Sequence, residues 1–269
     1  MSNRVRGIGV AASVAVLMGV VSSCGGDGGS PDGSESAPGA SIELDGDDIG
    51  GVVTSADGPE AGVWVIAETT DLPTRFIRIV ATDDVGRYVL PDLPAATYDV
   101  WVRGYGLVDS PRVSASPGEH LDLDGVVAPD AAAAAEVYPA AWWLSMMELP
   151  EGEHSQQSLG SQVTVCLNCH QVGNQATREI PGDILAGSDS HLEAWDRRVA
   201  MGPMSTAMAA MYGRMGDQRE MWADWTDRIA AGESPTQIPP RPQGIERNVV
   251  VTLWDWGTET DGRTDSAAS

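Results

Sequence analysis

The stretch "TVCLNCHQVGNQ", residues 164–175, places Cys166 and Cys169 two residues apart and His170 directly after them. Three chemistries use such a cluster. Covalent haem attachment turns the two thiols into thioethers with the haem vinyl groups. The adjacent histidine then lies under the porphyrin and ligates the iron. A structural zinc site needs four ligands that close round the ion, and no second pair follows this one. A thiol–disulfide centre also uses CxxC, but at the start of a helix after a strand in an α/β unit, which this stretch lacks. The pattern favours one covalent haem c, held by Cys166 and Cys169, with His170 as proximal ligand.

The other face of such an iron needs a ligand too. Met201, Met204, Met208, Met211 and Met215 follow within one segment. Their 3, 4, 3, 4 spacing is a helical stripe, which Trp222, Trp225 and Ile229 extend. Iron takes one of them, so most of the stripe is expected to be core, where methionine fills irregular gaps. Met204 is the first choice, because "AMGPMS" sets it just past a Gly-Pro break. Met201 and Met208 are alternatives. His191 is another, and would give bis-histidine iron at a lower potential than Met/His ligation. His120, on a candidate strand, and His154, in a polar loop, are read as structural and solvated respectively.

Haem is attached in this way outside the cytoplasm, so export is a requirement. Arg4 and Arg6 precede an apolar, uncharged run from Gly7 to Ser23, shorter than the ~20 residues of a spanning helix. It ends "VSSC", which resembles a bacterial lipobox with Cys24 as the lipidated residue. An uncleaved anchor is the alternative. With Cys24 acylated, Cys166 and Cys169 are the only thiols left, and no long-range disulfide is available. The formal charge is −23, and all sixteen basic residues are arginine. Such a surface repels nucleic acid, so no nucleic-acid partner is expected. Attachment to a membrane by lipid, on its periplasmic or extracellular face, is.

The rest of the chain supplies the elements that position these residues. Residues 1–23 read as a lipoprotein signal and 24–48 as an acidic Gly/Ser linker that cannot bury a core. From Ile49 the short runs "GVWVIAE", "TRFIRIVATD", "GRYVL" and "TYDVWVRG", separated by turn clusters, predict an antiparallel sandwich over 49–128. The register of "TYDVWVRG" sets Tyr98, Val100 and Val102 on one face and Trp101 on the other. Residues 129–161 form an Ala/Trp-rich connector, with Asp130 as a helix cap and Pro139 as a break. "AWWLSMM" within it is strongly apolar and is expected to be core. From Gln162 to residue 257 the pattern predicts helices throughout, punctuated by glycines. Residues 258–269 are a polar tail.

Two of these regions resemble known families. "GVVTSADGPEAGVWVIAE" and "TDDVGRYVLPDLPAATYDVWVRGYG" resemble the carboxypeptidase regulatory-like (transthyretin-like) domain. That likeness implies a sandwich of about seven strands without catalytic residues, used as a structural or binding module. "CLNCHQVGNQATREIPGDILAG" resembles the opening of a class I cytochrome c. In that family a proline after the motif gives its carbonyl to the proximal ring N–H, and Pro181 matches that position. "AMGPMS" is similar to the family's ligand loop. From the sandwich onward, the chain looks like exported bacterial proteins that join these two domains. Larger members continue into a streptogramin lyase-like propeller where this sequence has "TETDGRTDSAAS". The resemblance adds architecture more than function; the haem motif itself points to a non-catalytic one-electron carrier with a redox protein partner. The alternatives are a scaffold lipoprotein whose sandwich binds carbohydrate or protein, and a haem subunit of a larger dehydrogenase.

Overall fold

The computed structural model describes residues 42–148 and 156–254. The signal over 1–23, Cys24, most of the linker, His154 and the polar tail lie outside the described residues. No described helix is long and apolar enough to cross a membrane.

Ten short strands occupy the region read as β. They are β1 (Ile49–Ser55), β2 (Gly58–Pro59), β3 (Trp64–Thr69), β4 (Phe76–Ala81), β5 (Arg87–Leu90), β6 (Tyr98–Arg103), β7 (Leu107–Val108), β8 (Val113–Ala115), β9 (Leu123–Asp124) and β10 (Val126–Val127). One sheet runs β2-β1-β5, with β9 parallel to β1; another runs β4-β3-β6-β8 and is antiparallel throughout. β7 and β10 form a separate ribbon. Ile49 and Val53 of β1 share a single core with Val65, Phe76, Tyr98, Val100 and Val102 of the facing sheet. The two sheets therefore form a β-sandwich-like layer pair. β6 keeps the expected register. Tyr98, Val100 and Val102 are sealed inside, while Trp101 lies on the outer face under the Arg112 guanidinium, 3.9 Å from the ring centroid. Two core phenols reach carbonyls, Tyr88 to Leu121 at 2.7 Å and Tyr98 to Pro94 at 2.8 Å.

The sandwich begins earlier than the linker boundary at residue 48 predicts. The Asp48 carboxylate accepts the Asp45 and Asp92 N–H groups, and the Asp47 carbonyl accepts Leu93 N–H. The acidic residues that mark a linker by composition here act as turn acceptors.

The connector follows its sequence closely. Asp130 caps α1 (Ala131–Ala135) by accepting Ala133 N–H at 2.8 Å. Pro139 ends that turn and begins α2 (Ala140–Leu144). Trp143 is buried, as "AWWLSMM" predicts, in a small cluster with Ala135 and Tyr138 that also touches Tyr105 of the sandwich.

The helices that follow are α3 (Gln156–Leu167), α4 (Gln175–Arg178), α5 (Gly182–Ala186), α6 (His191–Val199), α7 (Ser205–Gly213) and α8 (Glu220–Ala230). Side chains of Asn174 and Ser190 cap α4 and α6. A 3₁₀ turn, Gly216–Arg219, leads into α8. Trp195, Tyr212, Met215, Met221, Trp222 and Trp225 form the helical core.

Helix throughout 162–257 is corrected at its end. "VTLW" forms β11 (Val251–Trp254), antiparallel to β4, with Val251 opposite Ile79 and Trp254 opposite Phe76. The strand's partner lies far upstream, so no hairpin turn marks it locally. Arg241 fixes the returning chain: its guanidinium reaches Glu60 at 2.5 Å and the Tyr105 carbonyl at 2.9 Å.

Candidate haem site

The last turn of α3 carries the cysteine motif. Cys169 and His170 both donate their N–H groups to the Cys166 carbonyl, at 3.2 and 2.9 Å. Cys166 and His170 therefore stack one turn apart on one face, with Cys169 beside them. Both cysteines are free thiols. Cys166 is half-buried against the helical core, while Cys169 and His170 are exposed. The His170 ring has no hydrogen bond or ion pair among the described residues. Burial pushes the Cys166 thiol up, and the neighbouring Cys169 adds to the effect. A thiol held protonated is the opposite of an activated redox dithiol. Among the described residues no three His, Cys, Asp or Glu side chains are grouped to hold a metal ion.

The loop after His170 is held by close approach. Gly173 has φ 103°, and a Cβ there would lie 2.0 Å from the Ala140 carbonyl oxygen of α2. Only glycine lets the backbone rest against the connector at that point. Its N–H reaches Thr177 Oγ1 at 2.8 Å, which ties the loop to α4.

Pro181 stands at the N-terminus of α5. Its carbonyl accepts the Ile184 and Leu185 N–H groups at 3.0 and 3.1 Å, and His170 is not among its donors. Met204 stands at the N-terminus of α7, after the turn formed by Gly202, whose φ is 83°. Met204 is 61% exposed and Met201 54%. Met208 and Met211 are half-buried, and Met215 alone of the five is buried in the core. The expectation that most of this stripe is core is corrected. The first two sit on a loop and at a helix start, and α7, which packs on α6, leaves the next two half-buried.

Several observations bear on whether these residues fit a haem. Val165 and Leu167 are 38% and 44% exposed beside the cysteines, so apolar surface flanks the motif. Trp222 Nε1 and Gln218 Oε1 are buried without a partner, one turn apart on the stretch leading into α8. They are a donor and an acceptor that polar substituents of a bound group would satisfy. Two free thiols, an imidazole without a partner among the described residues and exposed apolar side chains beside them are the groups that covalent haem attachment would use.

His191 lies elsewhere. It lines a cavity of about 320 Å³ with Trp143, Arg178, Ile180, Leu185 and Thr226. Thr226 Oγ1 donates to the Trp222 carbonyl and accepts Trp195 Nε1–H. His191 Nδ1 lies 3.1 Å from the same hydroxyl. Nε2 faces Asp227 Oδ1 at 3.4 Å. Both ring nitrogens therefore have a polar neighbour, whereas those of His170 have none among the described residues. His120 likewise has a partner, Asp122 at 3.2 Å.

Arg178 is the residue in this region that sequence reasoning missed. It is 4% exposed, stacks 4.0 Å from the centre of the Trp143 ring and pairs with Glu136 at 2.8 Å. Burial lowers its pKa, against the pull of Glu136 and Glu179. It clamps α4, and so the motif loop, to the connector. An arginine amid polar residues in "GNQATREIP" gives no hint of this, because both partners come from the connector.

No family model and no curated protein matches this chain. Among solved structures it is similar to chains from two type II cohesin–X-dockerin complexes of Acetivibrio cellulolyticus. One is a C-terminal interface mutant, at 17% identity and TM-score 0.24; the other is an N-terminal interface mutant, at 19% and 0.22. The matches cover 31% and 29% of this chain and 59% and 53% of those chains.

Proposed function

We propose that this protein is an exported, lipid-anchored c-type cytochrome that transfers single electrons through one covalent haem. The observation that carries the reading is the turn at Cys166–His170. It presents two free thiols and an unpartnered imidazole at the end of a helix, beside uncovered apolar surface. In this reading Cys166 and Cys169 fix the macrocycle and His170 presents a ring nitrogen to the metal. Met204 is the first candidate for the opposite face, with Met201 and Met208 behind it. His191 ranks below them, because Thr226 and Asp227 already stand beside its ring nitrogens. When bound, the haem supplies a one-electron iron centre, whose potential methionine ligation raises relative to bis-histidine. Gly173 and Arg178 hold the motif loop against the connector and so fix where His170 stands. Pro181, the proposed orienting carbonyl, here accepts the Ile184 and Leu185 N–H groups, so that role needs the first turn of α5 to release one of them. The sandwich is a carboxypeptidase regulatory-like module that presents the haem domain to a redox protein partner, and Cys24 is the lipid anchor.

The test is export of the full chain from a host with haem-attachment machinery. The expected product keeps its chromophore after denaturation and shows sharp reduced-state absorption bands. A colourless exported protein with two titratable thiols overturns the reading. Met204→Ala tests the distal side: loss of the low-spin spectrum is expected, and an unchanged spectrum moves the ligand to another residue.

A further inference from the structure

Methionine is an apolar residue, and the stripe from Met201 to Met215 divides in two. Met215 and, beyond it, Met221 are 5% and 3% exposed and belong to the helical core. Gap-filling explains them. Met201 and Met204 are more than half exposed, and Met208 and Met211 are half-buried yet belong to none of the hydrophobic clusters. Packing does not explain these four. Iron takes one of them, which leaves three thioethers without a role.

Their placement is regular. Met208 N–H donates to the Met204 carbonyl at 3.0 Å, so the two are one helical turn apart. Met211 follows three residues later on α7. Residues at i, i+4 and i+7 lie on one helix face, with neighbours about 5–6 Å apart at Cβ. Met201 precedes them, and the Gly202 turn is closed by Ser205 N–H to the Gly202 carbonyl at 3.2 Å. The residues between the methionines on α7 are Ser, Thr and Ala, too short to screen the sulfurs. Residues 200–213 hold no charged side chain, in a chain of formal charge −23. The fixed cation nearest to Met208 and Met211 along the chain is the exposed Arg214, three residues after Met211 at the end of α7, while the field of the whole protein attracts a cation.

We infer that the methionine face of α7, with Met208 and Met211 at its centre and Met201 or Met204 completing it, binds a soft monovalent cation, Cu(I) being the biological one. Thioether sulfur is a soft, neutral donor, and soft donors select Cu(I) over the harder divalent ions. Each methionine side chain is unbranched with three rotatable bonds, so sulfurs from adjacent turns can turn toward one ion. The ligands carry no proton, so binding releases none. A thiolate or imidazole site behaves differently, since its ligands must first deprotonate. This site goes beyond the cytochrome reading; it stands with Met204 or Met201 as the iron ligand and fails if Met208 takes that role.

The test uses the full chain with its thiols blocked, by haem attachment or, where no haem attaches, by iodoacetamide. Failure of the cytochrome reading therefore leaves it intact. Silver nitrate in chloride-free buffer is the probe, and the ε-methyl signals of ¹³C-methionine are followed. The signals of Met208 and Met211 should move, those of Met215 and Met221 should stay, and affinity should be the same from about pH 8 to about pH 5. The leucine double variant Met208→Leu/Met211→Leu, which conserves volume, should lose at least about tenfold in affinity, the loss that even an outer-shell partner causes. Unchanged affinity in that variant overturns the site. So does affinity that falls with pH, or movement of the buried methionine signals in the native sequence, which needs no variant to fold.

Discussion

The sandwich and the helical half bury their large residues differently. In the sandwich Ile49, Val65, Phe76, Leu90, Tyr98 and Val100 are all fully buried, and both core phenols donate to backbone carbonyls. The helical half seals Trp225 equally well, and its indole donates to the Trp143 carbonyl at 2.8 Å. Yet Val165, Leu167, Met201 and Met204 face solvent, while Trp222 Nε1 and Gln218 Oε1 have no partner inside. Close packing normally leaves few such sites, and buried polar groups are normally paired. The sandwich has loose ends of its own, Arg78 Nε without a partner and Val113, Leu253 and Trp254 exposed, but these lie outside its core cluster. In the helical half the unpartnered atoms lie inside the core itself, which is where the proposed haem reading can be tested.

Removing the proposed haem is the sharpest way to break the comparison. In a host with attachment machinery, Cys166→Ser/Cys169→Ser should lose the haem. Amide exchange in residues 191–230 should then speed up by about a hundredfold or more, while residues 49–127 keep their protection. Equal loss in both regions means that they form one cooperative unit, and the contrast drawn here fails.

The Arg241 strap tests the comparison from the other side, because it ties the chain after α8 to the sandwich. Glu60 is 6% exposed and its carboxylate meets Arg241 at 2.5 Å. Arg241→Ala leaves that carboxylate buried and uncompensated. A fully buried orphan costs about 3–5 kcal/mol. Arg241 itself is 30% exposed on its side chain, so about 2–3 kcal/mol is expected after solvent screening. The midpoint of urea unfolding measures it. Glu60→Gln placed in the same chain should recover most of the loss, because the unpaired charge is then gone. A single variant as stable as the parent would show that the strap adds nothing.

What the sequence revealed follows from how local each signal is. The alternation in "TYDVWVRG" is complete within one strand, so its buried face was legible. The helix cap at Asp130 and the break at Pro139 were legible for the same reason. The haem expectation at "CLNCH" is just as local, resting on five consecutive residues. β11 was not legible, since the short run "VVVTLW" lacks clean alternation and its pairing with β4 depends on contacts made across almost the whole domain. Arg178 was hidden likewise: its partners Glu136 and Trp143 belong to a different element. The methionine stripe misled through its period. Regular 3, 4 spacing marks a helix face, but does not say whether another element covers it.

The smallest expected effect lies on the outer face of the sandwich. Glu68 of β3 receives Arg75 Nε at 2.5 Å and Arg112 Nη1 at 2.8 Å, and its side chain is 13% exposed. Burial alone would raise its pKa, but the hydrogen bonds and charges of Arg112 and Arg75 outweigh it. The carboxyl is therefore held below its ordinary value of 4.5. A depressed pKa in the folded state means that the pair stabilises above the unfolded pKa and is lost as pH falls through the folded one. Glu68→Gln should thus cost roughly 0.5–1 kcal/mol at neutral pH. The gap between parent and variant should narrow as pH drops below 4.5, and vanish once the parent carboxyl is protonated in both states. Because Arg112 also covers the Trp101 ring, part of the arginine's position survives without Glu68, which keeps the cost small. Urea midpoints of both chains across that pH range decide it. A gap that stays constant with pH would mean that Glu68 acts through its packing and not its charge. The outer face of the sandwich would then owe its order to Arg112 on Trp101 alone.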